Sequence, residues 1–242
     1  MAFMLFALVV LSLAAAPPTT SKELNSAGMD KYKAKQLVEA IALFAQAIEA
    51  GEKEAPLSMK EQVERNRTLA LAHFNRACSQ ALLRKAGRVC DGDAYRSTIM
   101  AHLEKAVLLD PSRLERVLAD KDLAPIRDTI AYQGMLGFSA KREKDLPTLL
   151  SRTHWYSPGV GAFGSLSHVV FKPSGVVTEE RRTMNDETGK MSVKQVTGTW
   201  TLAGRKLTVT LEGKAVEGTL GEDGKLVLNG VQFADEPSEC GA

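Results

Sequence analysis

Apolar residues recur every three to four positions along this chain up to about Pro147, and at every second position after it. The first period matches helices with one buried stripe, the second strands with one buried face. The expected architecture is α+β in two domains: a helical domain over 17–146 and an antiparallel β-domain over 147–236, followed by a tail at 237–242. Within the β-domain, alternating runs at 153–156, 166–171, 176–183, 190–196, 199–202, 206–211, 215–220 and 225–228 predict about eight strands. The segments between them carry turn chemistry. Pro173-Ser174-Gly175, the stretch 185–189, Ala203-Gly204 and Glu222-Asp223-Gly224 place residues that tolerate positive φ where the chain has to reverse. Consecutive hairpins of this kind build a meander that closes, or nearly closes, into a small barrel.

The first sixteen residues fit neither pattern. They hold no charge, and Phe3, Leu5, Phe6, Leu8, Val9, Val10 and Leu11 lead into three alanines, the apolar core and small-residue end of a secretory signal peptide. Ser12-Leu13-Ala14 puts small residues at both recognition positions, so cleavage is expected near Ala14, and Pro17 disfavours a cut after Ala16. The run is shorter than the ~20 residues that span a bilayer. The mature chain is therefore expected to be exported, periplasmic or extracellular, with no stable membrane span. A retained anchor is the competing reading, because no Lys or Arg precedes the apolar run.

Export would allow disulfides. Of the three cysteines, Cys78 and Cys90 are the expected pair, stapling a loop back against the helix it leaves. Such a bridge contributes roughly 3 kcal/mol in chain-entropy terms. The alternative for Cys78 is a small buried apolar residue. Cys240 is left free, intermolecular, or the partner of either.

The helical stretch repeats itself. Gly28, Tyr32, Ala40, Phe44 and Ala47 alternate small residues, where helices approach closely, with large ones that fill the gap. A second copy reads Phe74, Asn75, Ala77 and Cys78, then Leu103, Ala106 and Asp110-Pro111, with a long insertion at 84–95 and Ile99 where a small residue is expected. A third, degenerate helical pair over 113–137 carries Leu114, Val117, Leu118, Leu123, Ile126 and Ile130, with Pro125 suited to the first turn of a helix. This spacing resembles the tetratricopeptide repeat, a helix-turn-helix unit of about 34 residues. The resemblance implies a concave surface that holds a peptide or a segment of another protein. Its inward-facing candidates are Lys22, Asn25, Met29, Tyr32 and Lys33 from the first copy and Leu71, Phe74, Asn75 and Cys78 from the second. The ordinary reading of the same residues is packing of the superhelix.

In the β-domain, Trp155, Phe171 and the step Gly198-Thr199-Trp200 ahead of Lys206-Leu207-Thr208-Val209 resemble the small up-and-down barrels of the lipocalin-like class. That implies an interior built from Trp200, Leu202, Leu207, Val209 and Leu211, with Thr199, Thr201, Thr208 and Thr210 facing water. Such an interior is either solid or holds one small apolar ligand.

Composition narrows the function classes. The 242 residues are 44% hydrophobic and 25% charged, ordinary globular usage. Divided at residue 150, the chain has 21 basic and 18 acidic residues before and 10 and 11 after. Neither half carries the one-sided field a nucleic acid requires. The glycine-rich 158–165 stretch lacks the helix N-terminus a phosphate loop needs and reads as a flexible loop. Thr188-Gly189-Lys190 belongs to a hairpin turn, and Asp91-Gly92-Asp93 has too few oxygens for a calcium loop. His73, His102, His154 and His168 fall on four separate elements with no ligand spacing, so neither metal nor cofactor is expected. No acid-base or nucleophile constellation nominates a catalytic residue. The resulting expectation is a non-enzymatic scaffold or adaptor that docks another protein or peptide. The alternative is a carrier or sensor of a small apolar ligand inside the barrel.

Overall fold

The computed structural model describes residues 18–55, 58–157, 166–185 and 187–237. The apolar segment 1–16 with its expected cleavage near Ala14, the glycine-rich 158–165 stretch and Cys240 lie outside them. Helices come first and an antiparallel, nearly closed eight-stranded barrel follows. Among the described residues no helix is long and apolar enough to cross a membrane.

Helix α1 (Ser21–Lys33) begins with a reciprocal cap: the Glu23 amide donates to Thr20 Oγ1 and the Thr20 amide to Glu23 Oε2, each at 3.2 Å. It pairs with α2 (Leu37–Lys53) through the small-to-large alternation read from the sequence. A Cβ on Gly28 would stand 2.6 Å from the Phe44 ring, so only glycine lets the two axes approach this closely. Helix α3 (Met59–Lys85) starts at Ser58, whose hydroxyl accepts from the Glu61 amide, and packs against α4 (Arg96–Leu109). Phe74 and Ala77 of α3 share one buried cluster with Ile99 and Leu103 of α4.

The chain then shortens its elements. Helix α5 (Arg113–Ala119) is followed by a 3-10 segment (Lys121–Ile126) and by α6 (Ile130–Met135). Pro125 lies inside the 3-10 segment, not in the first turn of an α-helix. The Asp120 carboxylate accepts from the Asp122 amide at 3.0 Å and forces a tight turn straight after α5, too soon for a second full helix. Leu123 and Ile126 from this segment complete the α3–α4 cluster.

Helix α7 (Leu146–Arg152) contains Pro147, the point where the sequence changes period, and it belongs to the barrel's core. The strands are β1 (His154–Tyr156), β2 (Leu166–Phe171), β3 (Val176–Met184), β4 (Met191–Ala203), β5 (Lys206–Leu211), β6 (Lys214–Leu220), β7 (Leu226–Leu228) and β8 (Val231–Phe233), each pairing with the next. A single bridge between Tyr156 and Ala234 joins the first strand to the end of the last, with backbone bonds of 2.7 and 2.9 Å.

The strand count agrees with the sequence, but the partition does not. Runs 190–196 and 199–202 form one continuous strand, β4. Gly198 is no break: a Cβ there would meet the Thr210 carbonyl oxygen at 1.9 Å, so glycine permits a close approach within the ladder. The eighth strand is instead β8. It follows a two-residue Asn229-Gly230 turn with φ of 49° and 75°, the left-handed pair that two-residue hairpins favour.

The expected Cys78–Cys90 bridge is not formed. Cys78 is a free, buried thiol 3.9 Å from Asp120 Oδ2. It sits seven residues inside the end of α3, about 10 Å along the axis at 1.5 Å per residue, with its face turned toward the 3-10 segment and away from the loop that carries Cys90.

Candidate functional site

The hollow of the helical part is the first candidate. Of its nominated residues, Lys22 and Lys33 are exposed, Met29, Tyr32 and Leu71 half-buried, and Asn25, Phe74 and Asn75 buried. The buried ones face the protein's own chain. Asn75 Nδ2 donates to Asn25 Oδ1 at 3.0 Å, tying α1 to α3. The Tyr32 hydroxyl donates to Asp122 Oδ2, and the Arg116 guanidinium lies 5.7 Å from the centre of the Phe74 ring. Burial, and then the Asp122 carboxylate, push the Tyr32 hydroxyl above its ordinary pKa. The 3-10 segment and α5 therefore occupy the place where a docked segment would contact Tyr32 and Phe74, and Asn75 is taken up by α1.

The junction between helices and barrel is the second. A cavity of about 350 Å³ lies there, with Arg84, Arg96, Tyr156, His168, Glu180 and Arg182 among its walls. These charges are consumed in pairs: Arg84 with Glu236 at 2.9 Å, Arg96 with Asp128 at 3.1 Å, Arg182 with Glu180 at 2.7 Å. His154 Nδ1 sits 3.0 Å from the same Asp128 carboxylate, and the Tyr156 and His168 rings stack 4.6 Å apart. Burial opposes ionisation of Asp128, yet the His154 hydrogen bond and the Arg96 charge hold its pKa below the usual value. The last described residues act as a strap. Arg96 Nη1 donates to the Asp235 carbonyl at 2.8 Å, the Ile130 amide to Asp235 Oδ2 at 2.8 Å, and the Arg96 amide to Glu236 Oε2 at 2.6 Å. Glu236 thus supplies a carboxylate to the first turn of α4, where the helix dipole favours it. This network fastens the two halves together.

The third candidate is the barrel interior. One end is stoppered: Leu146, Leu149 and Leu150 of α7 are buried against Trp155, Phe171, Val177, Leu207, Leu220 and Leu226. The Trp155 indole donates to the Leu150 carbonyl at 3.3 Å and lashes β1 to the stopper. Truncating any one of these leucines to alanine costs about 2–5 kcal/mol. The opposite end holds a cavity of about 280 Å³. Val209, Leu211, Val216, Leu228, Val231 and Phe233, from β5 to β8, form an apolar wall. The facing wall, from β1 to β3, offers Ser157, Ser167, Glu179 and Arg181 along with Val169.

Glu179 is 8% exposed and fully engaged. The Ser167 hydroxyl donates to its Oε1 at 2.9 Å and Arg181 Nη2 to its Oε2 at 2.7 Å. Arg181 Nη1 reaches Glu212 Oε2 at 3.1 Å, and Lys194 Nζ reaches Glu212 Oε1 at 2.6 Å. The Glu179 hydrogen bond, ahead of Glu212, raises the Arg181 pKa above its ordinary value, so the guanidinium stays charged. Lys194, then Arg181, hold the Glu212 carboxyl below its usual range.

The interior residues named from the sequence divide between the two ends. Trp200, Leu202, Leu207 and Val209 share the inward face, as the β4–β5 register Trp200↔Val209 and Leu202↔Leu207 shows. Val209 and Leu211 line the cavity. Leu207 is in the solid part, and Trp200 and Leu202 are half-buried against the same core. The Trp200 indole donates to the Lys172 carbonyl and meets Phe171 edge-on at 5.6 Å. Sequence reading missed Glu179 and Arg181. The signal was present: Val177, Glu179 and Arg181 are every second residue of one strand, so the face that buries the valine must also carry both charges. Among the described residues no three His, Cys, Asp or Glu side chains converge as a metal site. No family model, curated protein or solved structure matches this chain.

Proposed function

We propose that this is an exported, non-enzymatic binding protein, a carrier or sensor that holds one small, largely apolar ligand in the cup at the open end of its barrel. The observation that carries this reading is the cavity of about 280 Å³, apolar on one wall and polar on the other, above a floor sealed by three leucines. Its volume is close to the lower end of the ~300–1,000 Å³ typical of small-molecule sites. The uncharged leader at residues 1–16 supports export. The close contact of Gly28 with Phe44 supports a tetratricopeptide-like build for the first helices. With their hollow filled by the chain itself, those helices serve as the platform to which the strap and α7 anchor the barrel.

Native mass spectrometry of the purified protein tests the reading, with Val216→Trp as the variant that fills the cup from a half-exposed position. A small molecule retained by the wild type and absent from Val216→Trp, at equal melting temperature, is the expected result. A molecule retained equally by both proteins refutes the cup as the site.

A further inference from the structure

The polar wall of the cup has a property that bears on which ligand fits, and the inference rests on the ligand-binding reading above. Glu179 and Arg181 line the cup, and Glu212 and Lys194, outside its lining, continue from them a chain of alternating charge, two negative and two positive, joined by bonds of 2.6–3.1 Å. Each carboxylate has a cation and the Arg181 guanidinium has two carboxylates, so the chain is neutral and internally compensated. The opposite wall is aliphatic or aromatic except for Asn229, an uncharged amide in the β7–β8 turn, so no charged side chain stands on that side. A charged head group entering this space would leave its charge without a counter-ion unless it broke one of these pairs, and either outcome costs free energy in a site half lined by hydrocarbon. A neutral head group with a donor and an acceptor meets no such penalty, because the Asn229 amide, the Ser167 hydroxyl oxygen and the outer edges of the ion pairs offer hydrogen-bonding partners without changing the charge balance.

We infer that the internal Glu179–Arg181 pair sets the specificity of the cup, and that its ligand is an uncharged amphiphile with a hydroxyl or amide head and a short apolar body. Size points the same way. At ~30 Å³ per water-sized group, a cavity of about 280 Å³ accommodates roughly nine such groups, the scale of an eight-carbon chain with one polar end.

Three probes of one chain length separate the alternatives: 1-octanol, octanoate and octylammonium, titrated calorimetrically at pH 7 into the full chain. The wild type is expected to bind octanol at least about tenfold more tightly than either ion. Glu179→Gln leaves Arg181 without its inner counter-charge and should shift the preference to octanoate, whereas Arg181→Gln should shift it to octylammonium. Octanoate or octylammonium binding the wild type as tightly as octanol overturns the inference and leaves the cup as a ligand site. Failure of all three to bind the wild type overturns both. Circular dichroism checks each variant's fold, and if neither folds, the wild-type ranking alone decides.

Discussion

His73 on α3 and His102 on α4 give the helical part a stability that depends on pH. Their Nδ1 atoms are 2.9 Å apart, so one ring donates and the other accepts, and protonating both would set two N–H groups against each other. Burial lowers both pKa values from 6.5 to about 4; the charges of Lys105 and Arg76 add to this at His73, and those of Arg76 and His73 at His102, where Asp93 opposes. The folded pKa lies below the unfolded one. The unfolded chain therefore binds more protons between those values, and the stabilisation is complete above pH 6.5 and lost as pH falls toward 4. A shift from 6.5 to about 4, at 1.36 kcal/mol per pKa unit, gives about 3 kcal/mol for one ring. His73 is 6% exposed and keeps most of this, whereas His102 is half-open and solvent screening reduces its share, so the pair contributes at least roughly 2 kcal/mol. Urea unfolding followed at 222 nm, run from pH 7.5 to pH 4.5 on the wild type and on His73→Gln/His102→Gln, isolates this contribution because His154 and His168 remain in both. The wild type should lose about 2 kcal/mol more than the variant over that range. Parallel curves would show that the pair is not held neutral by the fold, and the reasoning from its burial would be wrong.

Two further outcomes follow from close packing in the helical part. Gly28→Val places methyl groups where a Cβ already stands 2.6 Å from the Phe44 ring, and should lower unfolding stability by about 1–3 kcal/mol, with Phe44→Leu recovering part of the loss; an unchanged midpoint would refute the contact. Cys78 is sealed, and burial together with the neighbouring carboxylates raises its pKa well above that of a free thiol, so it should resist alkylation in the native protein and react once the chain is unfolded. Peptide mapping after native alkylation reads this directly, and Cys78 labelled at the rate of an exposed thiol would contradict its burial.

Those parts of the architecture governed by local chemistry could be read from the letters. Period separated helices from strands because burial of one face is what selects each element, and Gly28 with Phe44 announced a close helix pair because volume must be matched across it. The misreadings arise where a distant partner decides. Gly198 looks like a strand end, yet its lack of a side chain serves the Thr210 carbonyl on the next strand. Pro125 suits a helix start, but Asp120 turns the chain before a helix has room to form. Asn229-Gly230 was a different kind of miss, because a two-residue turn signal was present between apolar residues and only the shortness of the following strand concealed it.

The site was less legible than the fold, because a cup is defined by what does not touch. Alternation along β5 identifies Leu207, Val209 and Leu211 as inward, but it is silent on which of them meets a stopper and which meets space. That distinction comes from α7, whose leucines reach one end of the barrel because β1 follows the helix after a single residue. The same connection explains why Trp200 is the wrong residue to truncate in a binding experiment. It lies alongside Phe171 and the chain just before β3, near the stoppered end, where removing it would loosen the floor without opening the cup. Glu179 and Arg181 stand farther along β3, toward the open end, and there the pair faces a largely apolar wall: with its charges already matched, it disfavours any guest that brings an unbalanced charge.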